Sequence, residues 1–218
     1  MSTFVDTVAP ARFARYLAWA GNDAALAHRL YNRNVALAEA FYTPLHTLEV
    51  VLRNRVDDAL SARFSATWYS DPAVVRPYPL QRKVREAHQK LASLGPRLTR
   101  GHVVAELSFG FWTGMFNRHQ SHLWGILQPI FVGARGLQRK NVSGQLDDIR
   151  GLRNRIAHYE PIVQLDLQHA HHEMETLTRW LCPDAAAWNA VHSRFPLVCP
   201  PSIIIVNGQV DPALAPNL

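Results

Sequence analysis

The chain has 218 residues, 48% hydrophobic and 18% charged, a balance that excludes an intrinsically disordered segment and suits a packed globular fold. Its formal net charge is +6 with eleven histidines counted as neutral, so polyanions are drawn to it, with RNA, DNA and acidic membranes all open, although charge carries no information about fold. The two cysteines, Cys182 and Cys199, lack a C-x-x-C spacing, which excludes a zinc ribbon or disulfide framework and points to a reducing compartment, the cytoplasm.

The N-terminal stretch MSTFVDTVAPARFARYLAWAG has no basic segment leading into an apolar core and does not read as a signal peptide. Phe13, Tyr16, Leu17 and Ala20 recur at helical spacing over about 10–20, with Gly21 placed as a C-cap. Asp23 is placed to cap a second helix running to about Asn34. The strongest periodicity lies in 35–64, through Leu45, Leu48, Val51, Leu52, Val56, Ala59, Leu60 and Phe64, and Thr43-Pro44 marks a bend or restart. The stretch 65–79 contains three prolines and reads as a loop anchored by Trp68 and Tyr69.

A basic helix over 80–94 carries Arg82, Lys83, Arg85 and Lys90 and stops at Gly95-Pro96. These four cations are candidate contacts to RNA phosphates; an ordinary exposed helix face is the alternative. Residues 101–117 read as one core helix enclosing Phe111 and Trp112, although Gly110 and Gly114 weaken it. A short helix over 119–127 follows, and Ser143 is placed to cap another that runs to about Tyr159 and ends at Pro161. Helices over 166–181 and 184–194 complete the pattern. Residues 1–195 therefore read as a single all-helical domain with little or no sheet, followed by a tail over 196–218. For that tail, Ile203–Val206 ahead of Asn207-Gly208 signals a hairpin, and loose order is the other reading. No apolar run is long enough for a transmembrane helix, so no membrane role is expected.

The segment IRGLRNRIAHYEPI holds the residue types that metal-free RNA cleavage requires. An imidazole titrates near neutrality and can remove the 2′-OH proton or protonate the leaving 5′-oxygen. A guanidinium keeps its charge and offers a planar fork of donors to phosphoryl oxygens. At about 100° per residue, Asn154 and Arg155 share the helix face of His158, whereas Arg153 lies about 140° away. Helix geometry alone favours Arg155 as the partner of His158.

Three blocks, RYLAWAGNDAALAHRLYNRNVALAEAFYTPLHTLEVVLRN, ELSFGFWTGMF and LRNRIAHYEPI, together resemble the Abi-like (abortive infection) family of the HEPN superfamily, over about 10–165. The late block resembles its R-x4-6-H motif, with Arg153 and His158 at the ends and Asn154 directly after the arginine. Where relatives commonly read R-N-x-x-A-H-H-E-P, this chain has Tyr159 for the second histidine. The resemblance implies an HEPN-like helical bundle with additional helices, a homodimer with two motif copies at its interface, and metal-independent endoribonuclease activity in phage defence or as a toxin. His158 is then the acid/base, Arg153 the transition-state cation, and a neutralising antitoxin a possible partner. A non-catalytic RNA- or nucleotide-binding module, or a structural partner in a toxin–antitoxin pair, is the alternative.

Other constellations have plainer readings. Glu49 and Arg53 are spaced i, i+4 as an intrahelical ion pair, with Glu49 alternatively orienting Arg153 or Arg155. His169 with His172 or Glu173 has metal-gripping spacing, but no further ligand is evident, and a solvated polar face that includes His171 and Glu175 is expected. Arg118, His119 and His122 read the same way. No metal or other cofactor is expected, and no P-loop, G-x-G-x-x-G or G-x-S-x-G motif occurs.

Overall fold

A computed structural model describes residues 10–200 and 202–218, leaving the side chain of Pro96 aside. Residues 1–9, which open the stretch read as lacking a signal peptide, lie outside the described residues. The chain is all-α apart from one two-stranded hairpin among the described residues. The helices begin with α1 (Pro10–Trp19), α2 (Ala24–Ala40), α3 (Tyr42–Arg63), α4 (Tyr78–Leu91), α5 (Arg100–Glu106) and α6 (Phe109–Gly114). They continue with α7 (Trp124–Leu127), α8 (Arg139–Ala157), α9 (Leu167–Leu181), α10 (Pro183–His192) and α11 (Phe195–Val198). No helix among the described residues is long and apolar enough to cross a membrane.

Two compact units divide the chain. The first comprises Met1–Leu45, Gly151–Glu173 and Ala190–Leu218; the second comprises His46–Arg150 and Met174–Asn189.

In the first unit, Asp23 caps α2 by accepting from the Leu26 N–H at 3.0 Å. This helix runs past Asn34 to Ala40 because Leu30, Leu37 and Ala40 continue one buried stripe. The restart between α2 and α3 falls at Phe41, placing Pro44 in the first turn of α3, where a missing N–H costs no helical bond. The C-terminal segment forms the hairpin β1 (Ile205–Val206) and β2 (Gln209–Val210), with Ile205 opposite Val210. Asn207 and Gly208 turn it at φ 51° and 76°, the left-handed pair that a tight hairpin demands. Arg33 then donates to the Asn217 carbonyl at 2.6 Å, and Gln209 to the Ala18 carbonyl at 3.3 Å, docking the segment on α1 and α2.

In the second unit, Leu48, Leu52, Val56 and Leu60 are fully buried along α3, while Phe64 is exposed past its end. Trp68 and Tyr69 anchor the proline-rich stretch as expected, both buried. The single helix expected over 101–117 is instead two, α5 and α6. Leu107 between them is extended and its carbonyl accepts the buried Trp112 indole N–H at 2.9 Å, which diverts it from a helical bond. Gly114 allows α4 to approach α6: a Cβ there would stand 2.8 Å from Leu80 Cδ2. Helix α8 starts at Arg139 rather than at Ser143, because buried Val142, Leu146 and Ile149 extend the stripe upstream and Arg139 donates to the Phe116 carbonyl at 2.7 Å.

Candidate active site

Helix α8 delivers the motif at its C-terminus, in the first unit. Leu152 is buried and fixes the rotation of the last turns. Arg153 is half-buried, Asn154 exposed, and His158 exposed just past the final helical residue, Ala157. The His158 N–H still bonds the Asn154 carbonyl at 2.9 Å. Beyond it the Tyr159 N–H reaches the Ile156 carbonyl at 3.1 Å and the Glu160 N–H the Arg155 carbonyl at 2.8 Å. Those two bonds form a Schellman motif, whose C′ residue must adopt left-handed backbone. That residue is Tyr159, at φ 56°. Glycine takes this conformation freely, whereas a tyrosine loses roughly 1–2 kcal/mol there.

The two arginines flanking Asn154 are not equivalent. Arg155 reaches across the turn to Glu160, with Nη1 3.5 Å from Oε2. Both side chains are more than a third exposed, so the pair is weak. Arg153, like His158, makes no side-chain hydrogen bond or ion pair among the described residues. The bare imidazole and the uncommitted guanidinium are therefore His158 and Arg153, although helix geometry by itself pointed to Arg155.

The chain leaving the motif is clamped. Buried Asn34 on α2 accepts from the Ile162 N–H at 2.7 Å, and Pro161, Ile162 and Val163 are all buried. Arg12 on α1 donates to the Tyr159 carbonyl at 3.4 Å. Neither Arg12 nor Asn34 was singled out from the sequence. For Asn34 a signal existed: it occupies the apolar stripe between Leu30 and Leu37, where a buried amide needs a partner. Arg12 offered none.

No family model, curated protein or solved structure matches the chain.

All four cations of α4 lie in the second unit, and each is engaged there. Arg82 sits 3.3 Å from Glu86, and Lys90 sits 2.6 Å from Glu106. The Arg85 guanidinium lies over the Tyr78 ring at 5.1 Å. Lys83 donates to Ser108 Oγ at 3.1 Å; burial first, and then Arg150, hold its ammonium below the usual lysine range. Glu49 also belongs to the second unit, half-buried on α3.

Among the described residues no group of three or more histidine, cysteine or acidic side chains is arranged to hold a metal. The histidines of α9 part company. His169 is exposed beside Glu173 at 3.6 Å, whereas His171 turns inward and stacks on Phe195 at 4.2 Å with the rings 10° apart. His171 thus leaves the polar face to which it was assigned. A pocket of about 270 Å³ in the first unit is lined by Asp166, Gln168, His169, Cys199 and Ile203 among others, and by no motif residue. Asp166 there is committed to capping α9 through the His169 N–H at 2.9 Å. Burial pushes the Cys199 thiol up to about 11, which leaves it protonated and unreactive near neutrality.

Proposed function

We propose that this chain is a metal-independent endoribonuclease of the Abi-like HEPN type, cleaving RNA at the C-terminus of α8. The observation that carries the reading is the pairing pattern: Arg155 faces Glu160, while among the described residues Arg153 and His158 make no side-chain hydrogen bond or ion pair. The chemistry follows from those groups. His158 takes the proton of the 2′-OH as this oxygen attacks the neighbouring phosphorus, and the P–O5′ bond breaks. Arg153 stabilises the charge that develops on the non-bridging oxygens, and Asn154 steadies the phosphate. The products are a 2′,3′-cyclic phosphate and a 5′-hydroxyl.

One imidazole serves one proton transfer at a time, and the departing 5′-oxygen needs an acid. A two-fold dimer supplies it as a second His158, with a second Arg153. The exposure of His158 and Tyr159 leaves this end of α8 open to such a partner copy, to RNA, or to a neutralising protein.

Purified protein incubated with total RNA in EDTA, beside His158→Ala and Arg153→Ala, tests the proposal. Fragments with cyclic phosphate ends from wild type alone support it, and chelation leaves the rate unchanged. Cleavage of DNA, dependence on added divalent metal, or equal activity in His158→Ala rejects it.

A further inference from the structure

Tyr159 is placed where its backbone is strained and its ring is largely exposed. It is the C′ residue of the α8 cap at φ 56°, its side chain is 81% exposed, and the ring makes no aromatic or cation contact among the described residues. A bulky residue in left-handed backbone is an outlier that folding alone does not select, since glycine would close the same two cap bonds without strain. The ring's use must therefore lie outside the folded chain.

Its surroundings indicate what that use is. The residue before it is the exposed His158, and the Arg12 guanidinium is held against its own carbonyl. Asn154 and Glu160 on either side are also exposed and polar. An exposed aromatic ring beside an arginine, an imidazole and polar side chains, with the acidic Glu160 turned to Arg155, has the makings of a single-stranded nucleic-acid site, in which a base stacks on the ring while cations hold the phosphates.

We infer that Tyr159 is a stacking platform for a nucleobase of the RNA strand, positioning the nucleotide next to His158. Tyr159 takes no part in proton transfer; it holds the base so that the adjoining 2′-OH meets the imidazole. The inference rests on the ribonuclease reading above and names the contact that orients its substrate. Because every base has a π face, such a platform tolerates many sequences and confers a preference for unpaired RNA.

The test uses fluorescence anisotropy of a short, labelled, single-stranded RNA of mixed sequence in EDTA. The protein carries His158→Ala to prevent turnover, alone or combined with Tyr159→Phe, Tyr159→Gly or Tyr159→Asn. Glycine and asparagine accept left-handed backbone, so these variants melt at least as high as the parent, with glycine about 2–4 °C higher. Phenylalanine keeps the affinity, whereas glycine and asparagine weaken it by about 5- to 100-fold. The slope of affinity against salt stays the same, because no phosphate contact is lost.

Equal affinity across the three substitutions overturns the stacking role, as does a loss accompanied by a changed salt slope. If sedimentation shows that glycine and asparagine dissociate a dimer while affinity per dimer is unchanged, the ring serves a second copy of the chain and the inference is wrong. If neither wild type nor the parent binds or cleaves RNA, the ribonuclease reading itself falls, a result distinct from the other two.

Discussion

At the scale of single residues, His171 couples folding to pH. Burial between Phe195 and Phe41, with His172 adding repulsion, pushes its imidazole down to about 4 from the ordinary 6.5. Between about pH 6.5 and pH 4 the unfolded chain binds a proton that the folded chain refuses, so stability falls as the pH is lowered through that window. Above it the ring is neutral in both states and contributes no slope. His171→Phe keeps the stack and removes this component, so its urea midpoint should drop less than that of wild type between about pH 7.5 and pH 4.5. Equal drops would mean that the ring is charged in the fold. Such a role was not legible from HAHHEME, because the histidines there differ only in which way a helix turns them.

At the scale of elements, what matters is where one helix holds another. Asn34 ties α2 to the chain leaving the motif, and Asn34→Ala strands the buried Ile162 N–H, at a cost of about 1–3 kcal/mol. Hydrogen exchange at the Ile162 amide should rise together with the drop in urea midpoint; unchanged protection there would show that another group holds the exit. In the second unit, buried Asp57 on α3 accepts from the Trp68 indole at 2.8 Å and from Arg100 Nε at 2.9 Å, joining the proline-rich turn and α5 to α3. Asp57→Ala leaves the Trp68 indole N–H without its acceptor and the Arg100 guanidinium with only the exposed Asp58, 3.6 Å away. The expected loss is about 2–3 kcal/mol, below that of a fully buried pair because the Arg100 side chain is 36% exposed. Asp57→Asn, which still accepts from Trp68, should lose less.

For the molecule as a whole, the proposed two-fold arrangement makes activity a property of pairs. If both imidazoles are needed, mixing wild type with excess His158→Ala should reduce cleavage as the square of the wild-type fraction once subunits have exchanged. A linear fall would assign a complete site to each protomer.

The all-α class was legible because apolar residues return every three to four positions through most of the chain, and that period is set by the geometry of the helix itself. The cap at Asp23 and the Asn207-Gly208 turn were equally local, since each depends on residues within one turn of one another. The split between α5 and α6, and the start of α8 at Arg139, depend on an indole and a guanidinium meeting distant carbonyls, and no window of sequence contains those partners. The same holds at the candidate site. The sequence alone placed Arg153, Asn154, Arg155 and His158 on one segment, and helix periodicity favoured Arg155 over Arg153 as the partner of His158. Tertiary structure separated them: a turn closed by Tyr159 and clamped by Asn34 brings Glu160 back to Arg155, while Arg153 has no such pair among the described residues, because pairing across a turn is decided by where the chain goes next.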